Sequence, residues 1–362
     1  MSNSRGIPGG SRGYSPALVG TLPKVGSAVI GVPRVGARRG WLAATLALTV
    51  GAFIAAIALA PAGDRSADGF LAWLLFVGSS AHVAATGWLY ALPEVRWYAK
   101  RRPFRYIWVP VSLVVASAGA AAVLSPSRLL WALLAYFAWQ FFHFQKQNLG
   151  LAALAGSAWK AASLTAHERW ALVSSGIAGI AGLISHPHLL QLGISLKLDV
   201  VFAVAGAAFA VSVTGGLLLL SRRAAADRPA AFTAVYAVSL LFFAPVFIFS
   251  SPYAAVGGIT VAHGLQYLLL VALIAGSDDD RSGRVVGLVV LANVALLGGL
   301  ALNRTSHLHD AGPALRALYG AYLGVVMAHF VIDAGFWRLR DEFPRRFLAR
   351  KLPYLVGQKP PQ

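Results

Sequence analysis

Four histidines lie one apiece on four apolar segments of the chain, at positions where a membrane would surround them: His82, His143, His263 and His329. A charged side chain at membrane depth costs roughly 2.5–3.5 kcal/mol on insertion scales. Such residues usually pair with one another, bind a metal or cofactor, or carry protons. Imidazole nitrogens suit zinc, copper and iron. The four residues therefore predict a polar, metal-binding site inside a bundle of helices.

The last of these segments carries two more chemically active groups. Asp333 follows His329 by four residues, so both side chains lie on one helix face. A carboxylate this close can bind the same ion or accept the second imidazole N–H. Tyr322 precedes His329 by seven residues and shares that face. We expect Asp333 and Tyr322 to take part in catalysis, Asp333 beside the ion and Tyr322 in the lining of a substrate cavity.

Two glutamines accompany the histidines on other segments. Gln147 follows His143 by one helical turn, and Gln266 lies beside the face that carries His263. An amide oxygen can act as a weak ligand or as a hydrogen-bond partner of a ligand. We expect both glutamines to contact the bound cofactor.

The composition indicates an integral membrane protein. Hydrophobic residues make up 57% of the 362 residues and charged residues only 12%, too few to cover a water-soluble protein of this size. The chain has no cysteine, which excludes thiolate ligands, disulfides and cysteine-held iron–sulfur clusters. Any metal must therefore be held by imidazole, carboxylate, amide or phenol groups.

Segments of about 20 apolar residues predict the membrane spans. The sequence has ten such segments, at residues 40–60, 70–92, 107–124, 129–148, 170–190, 200–220, 231–250, 256–276, 285–302 and 316–337. Most of the 31 lysines and arginines fall in alternate loops and in both terminal stretches. The positive-inside rule then predicts that both termini are cytoplasmic. We expect an all-α, multi-pass helix bundle in the cytoplasmic (inner) membrane.

The expected domain organisation follows from these spans. Residues 1–39 are predicted to form a basic, disordered cytoplasmic tail, residues 40–337 the transmembrane domain, and residues 338–362 a second basic cytoplasmic tail. The net charge of +18 lies on these flanks and loops, which favours anionic lipid headgroups as partners and not nucleic acid.

Two triplets of predicted helices, the second to fourth and the eighth to tenth, show weak similarity. The sequence of residues 79–82 is similar to that of residues 260–263, and the spacing of Tyr, His and Phe within residues 136–144 recurs within residues 322–330. All four histidine-bearing helices are predicted to run from outside to inside. The pattern predicts a parallel internal repeat about an axis along the membrane normal.

A second set of histidines is predicted to lie outside the membrane: His186, His188, His307 and His309. They form two His-x-His pairs, a spacing that could bind zinc or copper. We expect them to be ordinary exposed loop residues.

Three functions remain open from the sequence. The first is an integral-membrane metalloenzyme, a non-haem iron oxygenase or related oxidoreductase acting on a lipid or isoprenoid, with the four histidines as ligands. The architecture is similar to that of the Brp/Blh-type carotene dioxygenases, which hold iron with membrane-helix histidines, although the chain shares no motif with them. The second is a b-haem protein for electron transfer or haem modification. The third is a proton-coupled transporter with Asp333 as proton carrier, which would call for broken helices.

Overall fold

The computed structural model describes residues 33–62, 65–278 and 280–356, and these residues form only helices and connecting turns. Residues 1–32, which are predicted to be disordered, lie outside the described residues, and so do residues 357–362 of the C-terminal tail. The helices are α1 (Pro33–Ala58), α2 (Gly69–Leu89), α3 (Pro93–Arg101), α4 (Phe104–Val123), α5 (Pro126–Ala158), α6 (Ala166–Ser185), α7 (Asp199–Ser221), α8 (Ala230–Leu240), α9 (Ala244–Ile248), α10 (Tyr253–Ala275), α11 (Arg281–Ser306), α12 (Pro313–Phe336) and α13 (Glu342–Lys351).

Seven helices in the described part of the chain are long and apolar enough to cross a membrane: α1, α2, α4, α7, α10, α11 and α12. The all-α membrane bundle expected from the sequence agrees with this. The expected count of ten is not reached, because α5 and α6 carry more polar residues and because residues 241–243 separate α8 from α9. The ten spans and the internal repeat stay predictions.

Three of the long helices contain a π-helical turn. These turns are Val77–Ala81 in α2, Phe104–Trp108 in α4 and Tyr253–Gly257 in α10. A π turn rotates the helix that follows it, and such turns occur frequently at functional sites. His82 is the first residue after the turn in α2, so this turn sets the direction in which His82 points.

Small residues bring α2 and α10 into backbone contact. A Cβ atom on Gly264 would overlap the backbone of Gly78, and a Cβ atom on Gly78 would overlap the backbone of Val261. Leu75 contacts Gly257 one turn earlier on both helices, so α2 and α10 run parallel. Membrane helices often use small residues for such close approach. The contact holds His82 and His263 next to each other.

A second close pair joins α4 and α12. A Cβ atom on Gly320 or Gly324 would overlap the backbone of α4 around residues 113–118, and Gly335 faces Tyr106 at the other end. The two helices are therefore antiparallel. This contact fixes the position of α12, which carries His329 and Asp333.

One end of the bundle is covered by two short basic helices, α3 and α13. The rings of Tyr98 and Phe343 stack at 4.1 Å, Arg350 pairs with Glu94, and Lys351 Nζ lies 2.7 Å from Asp278 Oδ1. The stretch assigned to a C-terminal tail is thus folded at least as far as Val356. At the other terminus, α1 begins at Pro33, before the predicted boundary at residue 40.

A buried ion pair joins α6 to the end of α7. Glu168 carries the capping box of α6 with Thr165, and it pairs with the guanidinium of Arg223. Burial alone would raise the pKa of Glu168, but the hydrogen bonds from Arg223 and Thr165 outweigh burial and hold that pKa below its usual value. Tyr236 of α8 donates to the Glu168 carbonyl, which ties a third helix to this pair.

Candidate metal centre

The structure brings the four predicted imidazoles together in one buried cluster. The ring of His82 lies 5.0 Å from those of His263 and His329, measured between centroids. The ring of His143 lies 5.1 Å from that of His263 and 5.2 Å from that of His329. Each of the four residues is less than 9% exposed. They form a closed ring of edge-to-face contacts contributed by α2, α5, α10 and α12.

Most polar atoms of this cluster lack a hydrogen-bond partner among the described residues. They are Nδ1 and Nε2 of His82 and His263, Nε2 of His143 and His329, and both carboxylate oxygens of Asp333. An unpartnered buried polar group costs about 1–3 kcal/mol, and more if it is charged. Native proteins retain such groups mainly where water, an ion or a reaction uses them. The cluster is therefore a set of donor atoms that could hold a ligand.

Asp333 lies between two of the imidazoles. Its Oδ2 atom is 3.7 Å from His329 Nε2 and 3.8 Å from His143 Nε2. Arg338 follows Asp333 by five residues in the sequence and is the nearest arginine or lysine along the chain. In the structure Arg338 lies 3.9 Å from Asp341 instead. The carboxylate therefore faces the histidines at the centre of the bundle.

The donor atoms have the spacing of a metal site. His82, His263 and His329 form one group of three, and His143, His329 and Asp333 form another. Two nitrogen ligands of one ion lie at most about 4.2 Å apart, because each metal–nitrogen bond is about 2.1 Å long. The ligand atoms in each group lie within 4.8 Å of one another, so small side-chain shifts would close them on an ion. The residues fit a metal.

A hydrogen-bonded chain orients one of the imidazoles. Thr86 Oγ1 lies 2.6 Å from His329 Nδ1 and 2.8 Å from the hydroxyl of Tyr267. With Nδ1 protonated, His329 donates to Thr86, and Thr86 donates to Tyr267. This tautomer leaves the Nε2 lone pair directed at the cluster, which is the usual way in which an outer hydrogen bond prepares a histidine ligand.

Two phenylalanines cover the cluster. Phe144 stacks on His263 with a centroid distance of 3.8 Å, and Phe330 stacks on His143 at 4.6 Å. Each phenylalanine directly follows a histidine of the cluster in the sequence, on α5 and on α12. These rings keep water from the imidazole faces and lower the local dielectric, which strengthens electrostatic interactions at the site.

The two predicted cofactor-binding glutamines lie in a different chain of hydrogen bonds. Gln147 donates to the His263 carbonyl and to Gln266, and Gln266 donates to Thr49 of α1, with distances of 3.0, 3.0 and 2.8 Å. These bonds link α5, α10 and α1 behind the cluster. Direct contact of Gln147 and Gln266 with a cofactor stays a prediction.

Tyr322 lies away from the imidazoles. Seven residues separate it from His329, about 10 Å along the axis of α12 at 1.5 Å per residue. It packs in an apolar cluster with Tyr136 and Tyr319, on the side that leads to the start of α12. A catalytic role of Tyr322 therefore stays a prediction.

Three of the histidines outside this cluster have local polar partners, and His186 is buried and not exposed as expected, because it packs at the end of α6. His186 Nε2 lies 3.1 Å from Asp199, and His307 Nδ1 lies 2.6 Å from the Asn303 carbonyl. His309 pairs with its neighbour Asp310 at 3.1 Å. In the described part of the chain, the groups of three possible ligands are the two that belong to the buried cluster.

The residues predicted from the sequence for this site do not include Thr86, Tyr267, Phe144 or Phe330. A regular spacing in the sequence indicates the first two. Every histidine of the cluster is followed four residues later by a hydrogen-bonding side chain: Thr86, Gln147, Tyr267 and Asp333. Residues four apart on a helix are neighbours, so this pattern places a polar partner beside each imidazole.

Comparisons of the chain with protein-family models, with curated proteins and with solved structures find no match.

Proposed function

We propose that this protein is an integral-membrane metalloenzyme, a non-haem iron oxygenase or related oxidoreductase that acts on a lipophilic substrate. His82, His143, His263 and His329 hold the ion, and Asp333 is a further ligand. The observation that carries this proposal is the convergence of unpartnered imidazole nitrogens and carboxylate oxygens in one buried cluster.

The donor set favours iron. Imidazole and carboxylate together suit iron, and the chain offers no thiolate that would select zinc or copper(I). Four nitrogens with a carboxylate also exceed the tetrahedral set that structural zinc prefers. Asp333 supplies a negative charge, which offsets that of a buried cation. Iron, when bound, supplies one-electron and dioxygen chemistry.

The residues around the donors support this chemistry. Thr86 keeps the lone pair of His329 Nε2 available. Phe144 and Phe330 exclude water from the imidazole faces, which protects reactive species from side reactions. The apolar helices let an uncharged substrate reach the site from the membrane.

The packing argues against haem. A haem needs a slot wide enough for its macrocycle between two facing imidazoles. Adjacent imidazoles here meet edge to face at 5.0–5.2 Å, and α2 contacts α10 through the backbones of Gly78 and Gly264. A bare ion fits this arrangement without separating the helices.

Metal content and the visible spectrum test the proposal. The protein is purified after anaerobic loading with Fe(II), beside His263→Ala and the matched variant His188→Ala, which changes an exposed histidine. We expect stoichiometric iron without a Soret band in the wild type and in His188→Ala, and a severalfold loss of iron in His263→Ala. A Soret band would point to haem. A metal-free wild type would contradict the proposal and leave proton-coupled transport through Asp333.

A further inference from the structure

An apolar cavity of about 310 Å³ lies between α4, α5 and α12. Its lining includes Leu129, Tyr136, Trp139, Leu323 and Met327, and no charged residue takes part in it. This volume is at the lower end of the range of small-molecule sites, which is about 300–1,000 Å³. The cavity therefore accepts an uncharged, apolar group of limited width.

The cavity opens on the surface that would face lipid. Ala132 and Ala135 line it, and both are exposed. Two of its three walls, α4 and α12, belong to the candidate membrane spans. A molecule dissolved in the membrane therefore enters from the side, without passing through water.

One aromatic ring contacts both the lining of the cavity and the histidine cluster. Tyr136 and Trp139, which line the cavity, lie 6.4 and 5.7 Å from the ring of Phe330, measured between centroids. Phe330 also stacks on His143, with a centroid distance of 4.6 Å. Phe330 is therefore a neighbour of both, and a change in its side-chain rotamer would alter the contact between the cavity and the cluster.

We propose that this cavity binds the hydrocarbon chain of the substrate, an isoprenoid or acyl chain that enters from the membrane, and that Phe330 is the gate to the metal centre. The role of Phe330 as a gate to a metal centre rests on the proposed function. The binding of a hydrocarbon chain in the cavity does not. The apolar lining selects against charged groups, because these would lose hydration without gaining a partner. The occupant is therefore a neutral hydrocarbon chain.

Photo-crosslinking in lipid nanodiscs tests the binding site. Two probes are used, a farnesol analogue and a long-chain fatty alcohol, each with a diazirine on its hydrocarbon chain, and labelled residues are located by tandem mass spectrometry. We expect label at or next to Trp139 and Met327. Ala135→Trp fills the cavity and should lower this labelling severalfold while bound iron is unchanged. Ala207→Trp, at an exposed position on α7, is the matched control and should leave labelling unchanged.

Phe330→Leu tests the gate. The smaller side chain should raise labelling at His143 itself severalfold. Labelling by both probes indicates a site for hydrocarbon chains in general, and labelling by one identifies the chain type. Equal cavity labelling in wild type and Ala135→Trp, or unchanged labelling at His143 in Phe330→Leu, would overturn the proposal. Iron content is measured in every sample, so an iron-free protein that still binds the probes refutes the enzyme proposal alone.

Discussion

At the scale of single residues, Asp333 lies in an environment that tolerates little change. It is 2% exposed, and its carboxylate oxygens lie among imidazole nitrogens that also lack hydrogen-bond partners among the described residues. An uncompensated buried carboxylate is expensive, because it loses its hydration. The proposed cation would remove that cost and would account for an acid beside four histidines.

Asp333→Asn tests this explanation. Asparagine has nearly the same shape, so the helix contacts stay intact, but the negative charge that offsets the cation is lost. We expect bound iron to fall severalfold and turnover to be abolished, while the protein remains inserted. Metal analysis and turnover measurements check this, with Asp341→Asn as the matched control at the partner of Arg338. Full metal content and activity in Asp333→Asn would remove Asp333 from the site.

Thr86 acts through His329 and should behave as a positioning residue. Thr86→Val keeps the shape of the side chain but removes the oxygen that holds Nδ1. The loss of such an outer hydrogen bond usually lowers metal affinity by about 10–100-fold. Fe(II) titration should give this weaker binding for Thr86→Val and near wild-type binding for Thr86→Ser, which retains the hydroxyl. Equal affinities for all three proteins would contradict the role.

At the scale of helices, the parallel contact of α2 with α10 decides whether two of the four imidazoles meet. Gly264→Ala should push the helices apart, because the new methyl group overlaps the backbone of Gly78. Overpacking of this kind costs roughly 1–3 kcal/mol. We expect a lower Tm and less bound iron. Gly150→Ala is the control, since a Cβ atom there meets nothing within 4 Å, and a Tm equal to that of Gly264→Ala would refute the helix-contact argument.

The Glu168–Arg223 pair should make the stability of the α6–α7 hairpin depend on pH. Because the pKa of Glu168 is lowered in the folded protein, the pair contributes fully above the unfolded pKa of about 4.3. Its contribution is lost as the pH falls through the lower folded pKa. Arg223→Met leaves a buried carboxylate unpaired, and this should cost about 3 kcal/mol at neutral pH.

We would measure the Tm of wild type and Arg223→Met from neutral pH down to below the pKa of Glu168. The difference in Tm should shrink as the medium becomes more acidic, because the protonated glutamic acid no longer needs the guanidinium. Lys197→Met, which changes an exposed lysine, is the comparison. A difference that stays constant with pH would contradict the assignment.

At the scale of the whole molecule, segments predicted to be cytoplasmic meet one another in pairs. Arg350 pairs with Glu94, and Lys351 pairs with Asp278. Arg38 of α1 donates to the Ala158 carbonyl at the end of α5. The loops that the charge pattern predicts to lie on one side of the membrane therefore also lie at one end of the bundle.

The side of the membrane on which this end lies is a prediction from the positive-inside rule. A reporter that is active only in the cytoplasm, fused after Gln362, should be active, and one fused in the loop around residue 193 should not. The opposite result would invert the topology. It would leave the histidine cluster intact, because the helices keep their relative directions.

The sequence by itself determined the class of the protein and the inventory of its chemistry. Apolar stretches of membrane length must become helices, because only a helix satisfies its own backbone hydrogen bonds in lipid. The lack of cysteine excluded thiolate ligands, and one histidine on each of four such stretches pointed to a site built on imidazole. These conclusions needed only residue type and spacing.

The tertiary structure decided which of these groups meet. The rotation of a helix about its axis depends on its neighbours, and here the contacts at Gly78 and Gly324 and the π turn before His82 set it. Packing turned Asp333 towards the imidazoles, and it tied Gln147 to α1 through Gln266. The sequence showed which donor groups are present, but only the packing of four separate helices could bring them to one point. The contacts between these helices join residues that are far apart in the chain.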